Sequence, residues 1–334
     1  MKTGVKVLIC CLVCAASLVL AAGVGSVSIS PGEILDIVQG SLSGVKSSIF
    51  ISIRVPRVIM AFITGAALAV GGTVMQSVLR NPLASSYTLG VSSGASLLAA
   101  ITMISGFSIP FIGSFTLPLM GFLGGLMTVM LAMGITARLD SSMENQTIIL
   151  AGMVLSLFVS AMLTVATTFA KEHLEQLVFW QMGSFSGQSY KTCVMAACVV
   201  FIAIIFIMRH CNELDIMTFG EEQAMSAGVD LSREKLLLIG LSALVTGTVV
   251  SFAGVIGFID LIAPHVVRKL FGSRHRLVVP MSALFGGGFM VLADLISRTL
   301  LAPMELPVGA VTAIIGAPFF AYVYFHRNGA GKKC

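Results

Sequence analysis

The sequence predicts an all-helical membrane protein, and its composition and apolar runs carry that prediction. Of the 334 residues, 57% are hydrophobic and only 10% are charged. A soluble domain carries roughly 25% charged residues, so this chain has too few charges to cover a water-facing surface. The apolar runs are long and lack the alternation of barrel strands. Because backbone groups in lipid must pair within their own segment, the spans are predicted to be helices.

About ten segments are predicted to span the membrane, since a helix needs about 20 mostly apolar residues to cross a bilayer. They lie at 5–25, 58–79, 91–108, 115–137, 147–169, 191–209, 235–253, 256–271, 277–299 and 306–325. The segment at 256–271 is the shortest and contains Pro264. The N-terminal run resembles a signal peptide, but the many spans after it favour an uncleaved first helix. The sequence predicts one transmembrane domain over residues 1–334.

The distribution of lysine and arginine predicts the orientation. With the N-terminus inside, fourteen of the twenty Lys and Arg residues fall on the inner side and six on the outer side. Cytoplasmic loops carry an excess of these residues. Both termini are therefore predicted to be cytoplasmic, in a multi-pass protein of the cytoplasmic (inner) membrane.

A polar stretch at 218–235, TFGEEQAMSAGVDLSREK, interrupts the apolar pattern on the predicted cytoplasmic side. Residues 221–225 favour helix, and Gly228 stands where a left-handed helix end would form. Asp230 and Ser232 are suited to cap the next helix. The stretch is either a short helix pair lying on the membrane face or a plain solvated loop.

Several segments in order along nearly the whole chain resemble a known family. They are GEEQAMSAGV (220–229), RVPRVIMAFITGAALAVGGTVMQSVLRNPLASSYTLGVSSGA (54–95), QLVFWQMGSFS (176–186), GFIDLIAPHVVRKL (257–270) and the stretch 275–320. The chain strongly resembles the iron-siderophore, haem and cobalamin permease family of ABC importers. The resemblance implies a type II ABC importer permease fold with ten helices per subunit.

The resemblance also implies partners. They are a second permease subunit, identical or related, two ATP-binding subunits, an extracytoplasmic substrate-binding protein and the lipid membrane. The region 218–232 is then the cytoplasmic coupling-helix region that the ATPase would receive. Its expected coupling residues are Gly220, Glu221, Glu222, Ala224, Gly228 and Val229.

ATP chemistry is assigned to a partner because the chain lacks a P-loop. Its GAGKKC end has neither the Ser or Thr after the lysine nor the earlier glycine of that motif. No cofactor is expected to be bound by this chain, and ATP and Mg are expected to be used by the partner ATPase. The sequence shows no paired carboxylates, metal cluster or nucleophile elbow, so no catalytic residue and no metal site is predicted. The net charge of +5 is small for this length and the basic loops hold few aromatic residues, so no nucleic-acid role is predicted.

Three arginines run against the charge bias on the predicted outer side. Arg54 and Arg57 precede the second span, and Arg298 ends the ninth. Arginine is suited to bidentate contact with carboxylates. In similar permeases these motif positions meet glutamates of the binding protein, which implies a docking role for all three. The alternatives are lipid-headgroup contact and, for Arg298, an i,i+4 pair with Asp294.

Two loops supply candidate gate residues. In RNPLASS (80–86), Pro82 lacks a backbone donor and disfavours helix at Asn81. In similar permeases this turn lies at the cytoplasmic end of the pathway, which implies gate roles for Asn81, Pro82 and Leu83, although the pattern also fits an ordinary turn. The loop DSSMENQT (140–147) is expected to add Asn145 and Gln146.

The small residues of the second span, among them Gly65 and Gly72, and the FGGGF run at 285–289 are expected to allow close helix packing. Asp260 is unusual, because an acid at membrane depth is costly. We expect it on the outer rim of the short eighth segment, where the cost is low. Proton coupling is an alternative role for it.

The function that the resemblance implies is import of an iron(III)-siderophore complex as a permease subunit. Haem and cobalamin are the alternatives within the family. From another class, an ion-coupled secondary transporter would place several polar groups at mid-membrane around broken helices, and the sequence shows little of that pattern.

Overall fold

The computed structural model describes residues 3–25, 27–140, 142–170 and 172–330, with side chains described as far as residue 322. Lys2, Lys171, Lys332 and Lys333, which entered the charge analysis, lie outside this range, as does Ser141 of the second gate loop. All regular secondary structure in the described residues is helical, and these residues contain no strand.

Fifteen α-helices make up the described part of the chain. In order they are α1 (Thr3–Gly23), α2 (Pro31–Val38), α3 (Val45–Ile49), α4 (Val55–Val78), α5 (Val91–Ser105), α6 (Thr116–Leu139), α7 (Asn145–Phe169), α8 (Leu174–Met182), α9 (Tyr190–Arg209), α10 (Cys211–Met217), α11 (Glu221–Ser226), α12 (Leu231–Ala253), α13 (Ile259–Phe271), α14 (His275–Thr299) and α15 (Val308–Ala330).

Every predicted span contains one of these helices. Seven helical segments of the described chain are long and apolar enough to cross a membrane. The helix α5 and the apolar part of α15 are shorter. The 13 residues of α13 reach only about 20 Å at 1.5 Å per residue, against a hydrocarbon core of about 30 Å.

The outer loop after α1 holds two helices that the sequence analysis did not predict. Ser30 caps α2 because its hydroxyl oxygen accepts a hydrogen bond from the Glu33 amide, and the Glu33 carboxylate accepts one from the Ser30 amide. This capping box, followed by proline at the first helical position, is a local signal that was present in the sequence. A π-helical turn at Phe50–Arg54 then joins α3 to α4.

The helix α4 is the centre of the bundle. Twenty of its 24 residues are buried, and it packs against α14, α12, α13 and α9. Its small residues explain the close packing. A Cβ on Gly65 would stand 2.7 Å from the carbonyl carbon of Gly286 in α14, which leaves no room for a side chain. The predicted packing role of these residues is confirmed.

Two non-helical segments, at 84–90 and 254–258, are buried or half-buried inside the bundle. Ser85, Ser86 and Ile256 are each at most 4% exposed. The Tyr87 hydroxyl donates to the Ile256 carbonyl at 2.9 Å and ties the two segments together. Irregular backbone is tolerated at membrane depth where protein surrounds it, and these breaks lie against α4.

The helix α7 is the most exposed long helix after α1. Only three of its 25 residues are buried in the isolated chain. Its outward side chains, such as Leu157 at 71% exposure and Phe158 at 62%, are apolar. This face suits lipid or another membrane helix.

Candidate functional site

We call the end of the bundle that carries α11 the inner end, and the end that carries α2, α3 and α8 the outer end. The predicted site residues fall into one group at each end.

At the inner end, the predicted short helix is confirmed as α11, Glu221–Ser226. The amide of Gly228 donates to the Met225 carbonyl at 2.9 Å and that of Val229 donates to the Ala224 carbonyl at 3.0 Å. This is a Schellman ending, and Gly228 adopts the left-handed φ of 84° that it requires. Asp230 then caps α12 by accepting from the Arg233 amide.

The helix α11 buries Ala224 against the bundle and exposes most of its other side chains. Ala224 is fully buried, whereas Glu222 is exposed. Phe219 is 75% exposed and Met225 58% exposed. Apolar side chains that stand this far out beside a carboxylate are typical of a protein-docking surface.

Beside α11 lies a cleft of about 520 Å³, which we call the inner cleft. It is lined by Leu79, Arg80, Asn81, Pro82, Glu144, Asn145, Gln146, Ile149 and Glu221. Four of the five predicted gate residues therefore meet at one cleft, together with a predicted coupling residue. Their three segments lie more than 60 residues apart in the sequence.

Leu83 is the gate candidate that does not line the inner cleft. It is 45% exposed, and its amide donates to the Asn81 side-chain oxygen at 2.9 Å. This bond stabilises the turn that the Asn-Pro pair begins. Across the cleft, Asn145 has a buried side-chain oxygen without a hydrogen-bond partner among the described residues.

Lys235 also lies at the inner end, and the sequence analysis did not identify it as a site residue. It lies in the second turn of α12 and is completely buried. Its Nζ donates to the Met143 carbonyl at 2.7 Å and to the Glu221 carboxylate at 2.7 Å. A lysine just inside an apolar span was the available signal, because a charge at that depth needs a partner.

The loop between α6 and α7 is held in a fixed turn. Asp140 accepts hydrogen bonds from the Ser142 amide at 2.9 Å and the Glu144 amide at 2.7 Å. Bonds from Ser142 and from the Glu144 amide lower the pKa of the Asp140 carboxyl, so it is ionised at neutral pH. Met143 takes a positive φ of 51° in this turn.

At the outer end, the three arginines lie close together but face inward. Arg54 and Arg57 are only 4% and 6% exposed. Both side chains are paired within this chain. Their partners are distant in sequence, so local inspection could not find them.

The partners of the arginines are specific. Arg57 binds Asp294 through Nη2 at 2.9 Å and Glu305 through Nη1 at 2.8 Å. Arg54 donates to the carbonyls of residues 22 and 23 and of Val27. Arg298 pairs with Asp294 at 3.5 Å, which confirms the predicted i,i+4 contact. Glu305, with a side chain 45% exposed, is the half-exposed member of this outer arginine cluster.

Asp260 is not on the outer rim, and that prediction is wrong. It is 4% exposed, in the first turn of α13. One carboxylate oxygen accepts from the Ser85 hydroxyl, and the other has no hydrogen-bond partner among the described residues. The buried break at 254–258 places the start of α13 within the bundle, which explains the burial.

A chain of polar side chains continues from Asp260 toward the inner end. Gln76 bonds the carbonyls of Asp260 and Leu261 and accepts from Arg268 at 2.7 Å. Arg268 also donates to Ser77, which contacts His275 at 2.6 Å. The bundle interior is therefore more polar than the sequence indicated. Within the described residues, no group of three His, Cys, Asp or Glu side chains is placed to hold a metal ion.

Comparison with known proteins places this geometry in a family. The model described as the FecCD transport family matches residues 12–326. The hemin transport system permease HmuU of Yersinia pestis is 34% identical over 84% of this chain and 84% of its own length. The cobalamin import permease BtuC of Halobacterium salinarum is 34% identical, over 83% of this chain and 73% of its own.

The Fe(3+) dicitrate permease FecD of Escherichia coli is 33% identical over 81% of this chain and 83% of its own length. Among solved structures, one described as the inward-facing conformation of an ABC transporter assigned to the metal-chelate type superposes with a TM-score of 0.84. It is 28% identical, covering 96% of this chain and 99% of that one.

Proposed function

This chain belongs to the FecCD transport family, and from that premise we propose that it is the permease subunit of an ABC importer for an iron(III)-siderophore complex. A separate ATPase powers it and a substrate-binding protein feeds it. The observation that carries the proposal is the inner cleft, where the gate residues and Glu221 of α11 line one space. No residue of the chain performs covalent chemistry in this scheme. ATP and Mg belong to the partner ATPase.

The ATPase is proposed to receive α11 and its flanks, residues 218–232. The exposed side chains of Phe219, Glu222 and Met225 supply a mixed apolar and acidic contact surface. The buried Ala224 keeps α11 attached to the bundle. A partner that binds this surface would move α11 as a unit, and Glu221 would move with it at the edge of the inner cleft.

The second permease subunit, identical or related, is proposed to cover the exposed apolar face of α7. That face is not needed for packing within this chain, since only Ile148, Gly152 and Val159 are buried there. The ligand path would then run between two subunits and end at the inner cleft of each. Such an importer lies in the cytoplasmic membrane with both termini inside.

The outer arginine cluster is proposed to dock the substrate-binding protein by exchange of carboxylates. Asp294 holds one side of Arg57 in the protein interior, with a side chain only 1% exposed. Glu305 holds the other side at the surface. A glutamate of the binding protein could replace Glu305 without breaking the interior pair, whereas Arg54 and Arg298 would stabilise the cluster from behind.

This docking scheme predicts that Glu305→Gln tightens binding of the substrate-binding protein. The change frees Nη1 of Arg57 from a competing carboxylate, and an exposed pair of this kind is worth about 0.2–1 kcal/mol, or up to fivefold in Kd. Surface plasmon resonance with the complex in nanodiscs measures the Kd. Glu175→Gln, on the exposed side of α8, is the matched control. Weaker binding by Glu305→Gln would contradict the scheme.

The ligand is proposed to be an iron chelate, with haem or cobalamin as alternatives. The hemin, cobalamin and iron dicitrate permeases above resemble this chain at 33–34% identity. This similarity supports the ligand group and does not rank its members. The alternative function from another class of transporter is ion-coupled secondary transport. The buried carboxylate of Asp260 is the feature that favours this alternative.

Uptake by cells lacking this chain, with and without the gene restored, tests the proposal. The panel consists of labelled iron on several siderophores, haem and cobalamin. We expect uptake of one iron chelate to depend on the chain. Gly228→Val, which forces a β-branched residue into left-handed backbone, should insert in the membrane but reduce uptake to background. If only haem or only cobalamin uptake depends on the chain, that ligand replaces the iron chelate in the assignment. If the chain changes the uptake of no ligand, the assignment is rejected.

A further inference from the structure

Lys235 is a fully buried lysine at the inner end, and its surroundings assign it a specific task. Its side chain is 0% exposed. A buried ammonium group is stable only when its donors are satisfied by charged or strongly polar acceptors. The carboxylate of Glu221 and the carbonyl of Met143 supply them, each at 2.7 Å. We call this arrangement of Met143, Lys235 and Glu221 the Lys235 bridge.

The Lys235 bridge joins three segments that are separate in the sequence. Met143 lies in the loop between α6 and α7, Glu221 is the first residue of α11, and Lys235 belongs to α12. The inner cleft is lined by Glu221 on one side and by Glu144, Asn145 and Gln146 on another. The bridge therefore runs behind the cleft and connects two of its walls.

Met143, at the loop end of the Lys235 bridge, has an unfavourable backbone conformation. Met143 has a φ of 51°, in the left-handed region that residues other than glycine seldom adopt. Its side chain is buried at 4% exposure, and its carbonyl is fixed by Lys235. Asn145 begins α7 two residues later, so the Lys235 contact lies beside the start of that helix. Asp140 holds the same turn through the Ser142 and Glu144 amides, and loss of the lysine would remove the contact that ties the turn to α12.

We propose that Lys235 is a positioning residue that transmits movement of α11 to the gate loop at the start of α7. The proposal rests on the proposed function, in which an ATPase moves α11. A charge-assisted hydrogen bond in a buried site is short, directional and stronger than a neutral one. When α11 moves, the Glu221 carboxylate displaces the ammonium group, and the Met143 carbonyl follows. The walls of the inner cleft then move together.

The adjacent residue offers a matched control. Glu234 pairs with His210, at the end of α9, at 2.9 Å. This pair is also partly buried, but it contacts neither Met143 nor Glu221. Glu234→Gln removes a charge one residue away from Lys235 and leaves the bridge intact.

The first test is independent of transport. Amide hydrogen exchange of the full-length chain in detergent is measured for the peptide covering 142–149. Lys235→Met keeps an unbranched, buried side chain of similar length but removes the ammonium donors. We expect amide exchange about tenfold faster in that peptide, because the lost charged hydrogen bonds resist local opening of the loop. Glu234→Gln should leave it unchanged. Equal exchange in Lys235→Met and the unmodified protein would overturn the proposal.

The second test uses the complex with its ATPase and binding protein in proteoliposomes. We expect Lys235→Met to retain ATP hydrolysis while ligand imported per ATP falls about tenfold, because the hydrolysis signal no longer reaches the cleft. Lys235→Arg, which retains charge and donors, should restore import. Glu221→Gln, which weakens only one arm of the bridge, should give an intermediate value.

The outcomes of the second test separate the two hypotheses. If the unmodified complex shows no ATP-driven import, the proposed function fails, and the exchange experiment still judges the bridge. If the unmodified complex imports ligand and Lys235→Met imports the same amount per ATP, the bridge fails while the proposed function stands. Loss of import in Lys235→Met that Lys235→Arg cannot restore also contradicts the proposal.

Discussion

Replacing Asp294 with alanine is expected to lower the free energy of unfolding by about 3–5 kcal/mol, because it leaves buried guanidinium groups without their shared carboxylate. Asp294 is 0% exposed. It accepts from Nε and Nη2 of Arg57 and pairs with Arg298. Glu305 is too exposed to replace it. Chemical denaturation in mixed micelles, followed by circular dichroism, measures the difference.

A second substitution shows whether the loss of stability comes from the broken ion pair or from the removed side-chain volume. Arg57→Met in the Asp294→Ala background removes one of the two uncompensated guanidinium groups, and we expect it to recover part of the lost stability, since replacing both members of a buried pair is often nearly neutral. Asp36→Ala, on the exposed side of α2, is the control and should change stability by less than about 0.5 kcal/mol. A cost for Asp294→Ala near that of the control would contradict the structure of the outer arginine cluster.

Gly72→Ala is expected to destabilise the bundle by about 1–3 kcal/mol through overpacking, and more if α13 cannot shift. An added Cβ would lie 2.7 Å from the Cα of Asp260 and closer still to its carbonyl oxygen. These are backbone atoms, so only movement of α13 away from α4 could relieve the clash. The same movement would break the bonds from Gln76 to the carbonyls of α13. Thermal unfolding in detergent measures the effect.

The matched control for this substitution is Gly134→Ala in α6, where an added Cβ meets no atom within 4 Å. There we expect no loss, and a gain of up to about 1 kcal/mol from helix propensity. If both substitutions shift the melting temperature equally, the close contact between α4 and α13 is not as described.

The sequence predicted those features of the fold that depend on local patterns. Hydropathy located a helix in every predicted span, including the short α13. Residues 221–225 and Gly228 indicated a short helix with a left-handed end as one of two alternatives, and α11 has that form, because capping involves only neighbouring residues. The small residues of α4 predicted close helix packing. In each case the physical cause lies within one helix or at its end.

The features that the sequence did not predict depend on contacts between distant segments. Arg57 and Asp294 are 237 positions apart, and Ser85 and Asp260 are 175 apart. Hydropathy also placed Lys235 at the start of a span, where a lysine normally extends to water, but α11 and the gate loop cover it. These charges are buried because of the way in which the helices pack together, and no local sequence pattern records that packing.

The helix α4 connects the two ends of the candidate site. It carries Arg57 near its outer end, and the chain reaches Leu79 and Arg80 of the inner cleft directly after Val78. Its 24 residues span about 36 Å, and nearly all of them are buried. One continuous packed helix therefore links the outer arginine cluster with the inner cleft.

The energy source of uptake tests the central claim most directly. Right-side-out membrane vesicles that contain the chain, its ATPase and the loaded binding protein are filled with ATP or with a non-hydrolysable analogue, and proton and sodium gradients are collapsed with ionophores. The account predicts ligand uptake that requires hydrolysable ATP and survives the ionophores. Uptake that the ionophores abolish and ATP does not support would show an ion-coupled transporter and contradict the assignment.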